Sequence, residues 1–261
     1  MSVRTQRLLL PALTAPVLIG LWYLACFLLP PDRRIFLPAP HQILHALVVS
    51  RGELFSAWLN TGAGALAGFL LAIVVSGLCA LLLSLSPWVR ASLYPYLMIL
   101  QMTPVVVLAP MLIIWVGAGF KSVALITFLI CVFPLVVNST QGLISVDRNL
   151  VELFRMARAS RWQEVFLLRI PAALPYFFTG LRIAATLAPI GAVVGDFTAG
   201  NSAGPGLGFL TIIYSANFRF PELFATVAAT CALGFLFTGG VVGLSWLALH
   251  HWHDSYGRTD N

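Results

Sequence analysis

Apolar residues run along this chain in blocks too long for the helices of an ordinary soluble core. Six such blocks stand out, at about 8–29, 58–85, 93–117, 121–145, 174–199 and 223–249. A helix needs roughly 20 predominantly apolar residues to cross the hydrocarbon of a bilayer. The pattern therefore predicts an all-α membrane protein with six transmembrane helices. Arg4 and Arg7 precede the first block, as in a signal peptide. The block is longer than an ordinary signal core and has no clear small-x-small cleavage site, so it reads as a retained first helix. Pro95, Pro104 and Pro110 interrupt the third block.

The polar stretches between the blocks have character of their own. Residues 30–40, PPDRRIFLPAP, read as an extended Pro-rich piece. HQILHALVVSRGELFSAWL follows and reads as one amphipathic helix on the outer surface. This divides the chain into 1–57 (first helix and outer amphipathic segment), 58–249 (a five-helix core) and 250–261 (a tail).

Between the fourth and fifth blocks lies a polar segment, 146–173, whose stretch from Asp147 to Arg169 holds eight of the 24 charged side chains. Leu150, Leu153, Phe154 and Ala157 recur at helical spacing and form an apolar stripe. Arg148, Glu152 and Arg155 fall on the opposite face, at spacings that allow ion pairs. Trp162, Val165, Phe166 and Arg169 continue on a second helical piece. Pro171 and Pro175 are expected to break the backbone before the fifth block. On periodicity alone, this segment is either a helix resting on lipid headgroups or a docking surface for a cytoplasmic partner.

Composition agrees with the bilayer as solvent. The chain is 59% hydrophobic and 9% charged, against about 25% charged in soluble domains. Its net charge of +6 is best read by position. Lys and Arg collect on cytoplasmic loops. Nine arginines (Arg4, Arg7, Arg90, Arg148, Arg155, Arg158, Arg161, Arg169, Arg258) fall on one side and five basic residues (Arg33, Arg34, Arg51, Lys121, Arg219) on the other. This places both termini and 146–173 in the cytoplasm. Clustered Lys within a soluble motif is absent, which argues against nucleic acid as a partner.

Little in the sequence suggests chemistry. Cys26, Cys79, Cys131 and Cys231 each sit in an apolar run and read as small hydrophobes. His250, His251 and His253 read as interfacial side chains beside Trp252, not as a metal site. No GxxxxGK[ST] loop is present, so the chain should do no ATP chemistry. No nucleophile–base pair stands out. AGNSAGPGLGFL (199–210) reads as an outer loop. GAGALAG (62–68) and GGVVG (239–243) allow close helix packing, within the chain or at a dimer axis. Polar residues within spans usually face the protein interior. Gln101, Thr103, Asn138 and Asp196 are the candidates for a translocation pathway, and Thr140 carries the same ambiguity as Asn138. Interhelical hydrogen bonding, and for Asp196 stabilisation of the outer loop, are the structural alternatives.

The 146–173 segment resembles the cytoplasmic loop of ATP-binding-cassette (ABC) importer permeases, whose pattern is Glu-Ala-Ala, three residues, Gly, nine residues, then Ile-x-Leu-Pro. Glu152 opens it here, Arg158 stands in the Gly position, and Leu168, Arg169, Ile170 and Pro171 close it. QMTPVVVLAPMLIIWVGAG (101–119), FPLVVNSTQGLISVD (133–147), ASRWQ (159–163), PAALPYFFTGLRIA (171–184) and GAVVGDFTAG (191–200) also resemble the nitrate/sulfonate/taurine-type branch of these permeases. The resemblance covers about residues 37–249 and implies a type I importer fold in a bacterial inner membrane.

It also implies the partners: a second permease chain, cytoplasmic ABC ATPase subunits carrying ATP and Mg, an external solute-binding protein, and lipid. This chain would bind no cofactor itself. Glu152, Leu153, Phe154, Arg155, Ala157, Arg158, Ala159 and Ser160 would couple it to the ATPase. The implied solute is a pyrimidine vitamin precursor, a riboflavin-like molecule, a sulfonate or taurine, or nitrate. Two substitutions depart from the pattern. Leu153-Phe154 replace Ala-Ala, and Arg158 replaces the Gly that turns the chain. Arg enters the left-handed region less cheaply than Gly, so a continuous helix, or a turn taken by another residue, is expected. The alternative from another class is a non-transport membrane scaffold anchored by the amphipathic loop.

Overall fold

The computed structural model describes residues 3–199 and 204–249. Helices dominate, and there is no β-sheet among the described residues. In chain order they are α1 (Val3–Leu28), α2 (Pro40–Val49), α3 (Arg51–Leu85), α4 (Pro87–Met102), α5 (Val105–Val116), α6 (Phe120–Ile144), α7 (Arg148–Met156), α8 (Arg161–Gln163), α9 (Ile170–Ala199), α10 (Leu207–Ala216) and α11 (Phe220–Leu249). A π turn, Glu164–Arg169, joins α8 to α9. Among the described residues, four helical runs are long and apolar enough to cross a membrane: Arg51–Leu85, Phe120–Ile144, Arg161–Thr198 and Phe220–Ala248. The pair α4 and α5, bent by 95° at its break, makes a fifth if counted as one span. Leu13–Leu28, in the first apolar block, is a shorter apolar helix.

The centre is a three-helix stack in which α6 lies between α3 and α9. Phe69 and Ala72 of α3, Leu135 and Val136 of α6, and Ala184 and Ala188 of α9 are buried together there. Small residues set the spacing. A Cβ on Gly68 would lie 2.6 Å from Thr127 Cβ and 2.9 Å from Phe128 N. From the other side, a Cβ on Gly195 would lie 2.8 Å from Val123 Cα, and one on Gly191 2.9 Å from Thr127 Cα. Gly64–Gly68 and Gly191–Gly195 thus clasp the same turn of α6, each pair using small residues four apart to bring backbones close. In α11, by contrast, Gly239, Gly240 and Gly243 meet nothing within 4 Å.

Three sequence expectations are corrected. The outer amphipathic helix is two helices. It bends at Ser50, and the part from Arg51 onward is continuous with the second apolar block as the 35-residue α3. No helix breaker separates them, and Leu54 and Ala57 are buried with Leu207, Leu210 and Tyr214 of α10. Pro171 and Pro175 do not break the chain, because the helix runs from Arg161 to Thr198. The π turn just before Pro171 changes the register, with Ile170 N–H donating to Val165 O five residues back. Such a local widening relieves a helix at a proline that lacks its amide. Finally, Arg158 itself turns the chain, at φ +54°.

The break at Thr103–Pro104 follows directly from sequence. A residue before proline is driven to extended backbone, and Thr103 has φ −69°, ψ 123°.

Candidate functional site

The amphipathic arm between α6 and α9 is built from α7 and the turn after it. Asp147 caps α7 by accepting from Asn149 N–H at 2.8 Å. At the other end Arg158 N–H donates to Arg155 O and Ala159 N–H to Phe154 O, both at 3.0 Å. This six-to-one and five-to-two pair around a left-handed residue is a Schellman motif. Arg158 therefore does what a glycine does at such a turn, with the strain a side chain adds. Ser160 restarts the helix through a capping box: its Oγ accepts from Gln163 N–H, and Gln163 Oε1 accepts from Ser160 N–H.

The apolar stripe of α7 is left open. Leu153 is 54% exposed and Met156 77%, Leu150 and Ala157 are also exposed, and Phe154 is half-buried. Met156 extends the stripe beyond the residues singled out from sequence. Glu152 and Arg155 are exposed, Ala159 is half-buried, and the expected ion pairs of Glu152 with Arg148 or Arg155 are not among those formed. The formed pair is further on. Arg169 Nε and Nη2 both donate to Glu164 Oε1, at 2.8 and 2.5 Å, while Nη1 reaches Leu143 O at 3.3 Å. Arg169 thus ties the π turn ahead of α9 to the end of α6.

At the opposite end of the bundle, Asp196 is 6% exposed and hydrogen-bonded through Oδ2. Thr61 Oγ1 donates to Asp196 Oδ2 at 2.6 Å and accepts from Leu207 N–H at 2.8 Å. Gly208 N–H also donates to Asp196 Oδ2, at 3.3 Å. The carboxylate and its threonine relay so satisfy the first amides of α10 and pin that helix to α3 and α9. Tyr214 O–H adds a second tie, donating to Glu53 Oε2 at 2.8 Å. Burial, and next the Glu53 carboxylate, push the Tyr214 hydroxyl up to about 12, so it stays a donor. Arg219 stacks over the Tyr214 ring at 4.8 Å and pairs with Glu222.

The four pathway candidates are not brought together. Gln101 and Thr103 stand at the α4–α5 break, where Thr103 Oγ1 donates to Ile99 O. Asn138 Nδ2 donates to Pro134 O, and Asn138 packs where a Cβ on Gly180 would meet it. Asp196 lies near Val123, fifteen residues and so roughly 22 Å along α6 from Asn138. What sequence reasoning missed is a cavity of about 430 Å³ between α4 and α6, lined by Tyr94, Thr140 and Gln141 among others. A tyrosine and a glutamine inside apolar blocks were the available signal. The four cysteines are free, and no group of residues that could hold a metal occurs among the described residues. The His250–His253 cluster and the tail lie outside them, as do residues 200–203 of the 199–210 segment, whose last four residues open α10 and are helix, not loop.

Long apolar helices, one span broken at Pro104, a glycine-packed core and an exposed amphipathic arm fit an integral membrane protein. The chain belongs to the family of binding-protein-dependent transport system inner membrane components, whose pattern matches residues 64–251. It is 33% identical over 234 residues to the formylaminopyrimidine transport permease protein ThiX of Halalkalibacterium halodurans, covering 89% of this chain and 92% of that one. It is 35% identical over 255 residues to the riboflavin transport system permease protein RibX of Chloroflexus aurantiacus, covering 96% and 94%. With the taurine transport system permease protein TauC of Escherichia coli it shares 28% over 250 residues, covering 92% and 88%. The chain is a permease subunit of a solute importer.

Proposed function

We propose that two copies of this chain pair around a solute pathway and dock, each through α7, onto a separate cytoplasmic ATPase. The observation that carries this reading is the unburied stripe Leu150, Leu153 and Met156 on a short helix capped at both ends, by Asp147 and by the turn at Arg158. A stiff element with an open apolar face transmits motion through packing, and ATP-driven closure of the partner would bias a two-state pathway. ATP and Mg would reside on the ATPase. The residues Glu152, Leu153, Phe154, Arg155, Ala157, Arg158, Ala159 and Ser160 form the proposed contact, to which Met156 is added.

In this reading α1 supplies a sixth span ahead of the five-span core, with residues 1–57 an N-terminal unit and 250–261 a tail. The arginine bias puts both termini and α7 in the cytoplasm. The end carrying α10 then faces an external binding protein. Tyr94, Thr140 and Gln141 are the proposed pathway lining, in place of a site made by Gln101, Thr103, Asn138 and Asp196. The proposed solute is a small nitrogen heterocycle of the vitamin-precursor type. The names of the two relatives at 33% and 35% identity support this class. So does the scarcity of charge within the spans, where Arg182 is the basic residue away from the ends.

The test is purification and uptake together. The tagged chain, co-expressed with a cognate ABC ATPase of the same organism, should be retained as two permeases with two ATPases and should take up solute only with ATP. Cysteines at Met156 and Asn217, in a background free of native Cys, should label from opposite sides of the membrane. Recovery of the permease free of any ATPase, with intact uptake, overturns the docking role of α7.

A further inference from the structure

Beneath α7 lies a polar cavity of about 380 Å³ at the junction of α3, α4 and the π turn, and its lining includes Ser84, Arg90, Arg155, Arg161, Glu164 and Arg169. An adjoining cavity of about 290 Å³ shares Arg155 and Arg169 and adds Arg148 and Glu152. Five guanidinium groups thus face two carboxylates. One carboxylate, Glu164, is already held by Arg169. Arg90, Arg155 and Arg161 have no ion pair among the described residues. Like charges gathered in a concave site raise the local potential and call for an anion. Arginine forks match the tetrahedral oxygens of phosphate.

The surroundings indicate where that phosphate comes from. Trp88, next to the lining residue Pro87, is 85% exposed, and Trp162, next to Arg161, is 66% exposed. Phe166 and Leu167 of the π turn are exposed too, with Trp162 stacked on Phe166. Tryptophans at the ends of spans mark the headgroup level of a bilayer. Basic pockets between transmembrane helices at that level hold anionic headgroups.

We propose that this arginine-lined cavity binds phosphate, supplied by the headgroup of an anionic phospholipid. The lipid would neutralise Arg90, Arg155 and Arg161 and wedge the base of the arm against the α3–α4 junction. This site is separate from the apolar stripe of α7 and does not depend on the solute carried.

The experiment follows thermal unfolding of the full-length chain in neutral detergent as phosphatidylglycerol, phosphatidylcholine or inorganic phosphate is added. Wild type, Arg90→Gln/Arg161→Gln and a control altered at the other end, Arg33→Gln/Arg51→Gln, are compared. Phosphatidylglycerol should stabilise wild type and control at low mole fraction and phosphatidylcholine should not. The Arg90→Gln/Arg161→Gln variant should need about tenfold more phosphatidylglycerol for the same shift. Native mass spectrometry of the wild-type chain, which involves no variant, should find phosphatidylglycerol retained over phosphatidylcholine. If inorganic phosphate alone reproduces the stabilisation and displaces the lipid, the site stands and free phosphate is its occupant. Equal responses to the two lipids, with no retained phosphatidylglycerol, overturn the proposal. So does loss of ATPase co-purification in the double variant with its lipid response unchanged, which would give the cavity to an acidic protein partner.

Discussion

The two ends of the bundle are finished to different degrees. At the α10 end, polar groups close on one another: the buried Asp196, Thr61 and amides of Leu207 and Gly208 form one knot, and buried Tyr214 with exposed Glu53 a second. At the α7 end, apolar side chains stand exposed and arginines face a cavity without ion-pair partners. The polar groups of these two knots are satisfied within the chain. At the second end Arg90, Arg155 and Arg161 have no ion pair among the described residues. A substitution at the α10 end should therefore be read in stability, and one at the α7 end in association.

The largest effect is expected at the knot. Asp196→Ala leaves the Thr61 hydroxyl and the Gly208 amide without an acceptor in a buried place. Each unsatisfied group costs about 1–3 kcal/mol, so the variant should lose roughly 2–4 kcal/mol. Thermal unfolding in detergent reads this directly. Thr61→Val should cost about as much, and the double variant less than the sum, since both changes remove the same bond. Additive losses would mean that the two residues act separately and that the knot is no unit. The same variants, at matched expression, should retain ATPase association if the two ends are as independent as the comparison holds.

The core offers a sharper control, since it serves neither end. Gly68→Ala places a Cβ within 2.6 Å of Thr127 Cβ. Overpacking of this kind costs about 1–3 kcal/mol. Gly240→Ala, on the open face of α11, should leave monomer stability unchanged. Loss of self-association in Gly240→Ala would place α11 at the dimer axis.

How far sequence carried this structure differs along the chain. The apolar blocks marked α3, α6, α9 and α11 because length and hydropathy are local properties. The α4–α5 break was legible for the same reason, since Pro104 acts on its own neighbour. The role of Asp196 was legible only in outline, as stabilisation of the outer loop; its partners were not. Its partners are Thr61, 135 positions away, and the amides of α10, and no periodicity connects them. Pro171 misled because a proline removes one hydrogen bond without dictating how the helix repairs it, and a π turn leaves no sequence mark. The stripe on α7 was visible as Leu150, Leu153, Phe154 and Ala157, yet its exposure follows from packing elsewhere. The arginine cavity draws its arginines from α4, α7, α8 and the π turn and was seen only as a charge bias.

The next effect is on association. Phe154→Ala removes the largest side chain of the α7 contact, and burying such a group on docking is worth about 1.5–3 kcal/mol. The variant should insert and unfold like wild type but release the ATPase in co-purification, with uptake reduced in proportion. Glu152→Ala should follow with a smaller loss, under about 1 kcal/mol if the carboxylate remains solvated in the complex. A fall in thermal stability with ATPase binding intact would move α7 into the finished class and remove the contrast between the ends.

The smallest expected effect concerns Arg158, where geometry and charge can be separated. At φ +54° the side chain holds a left-handed position that a glycine takes without strain. Left-handed backbone costs a non-glycine residue about 1–2 kcal/mol, and glycine returns roughly 0.5–1 kcal/mol of that as unfolded-state entropy. Arg158→Gly should therefore stabilise the arm by about 0.5–1 kcal/mol. The gain should show as slower hydrogen exchange at the Arg158-position and Ala159 amides, which close the Schellman turn, more than in global unfolding. Arg158→Ala keeps the strained backbone and removes the charge, so those amides should exchange as in wild type. Arg158→Glu also keeps the strain, and it reverses the charge beside the docking face. If the charge matters to coupling, Arg158→Glu loses ATPase binding and uptake while Arg158→Gly keeps part of each and gains protection at the turn. If all three variants exchange alike, the arm is not held by this turn, and its order rests on the Asp147 cap at its other end.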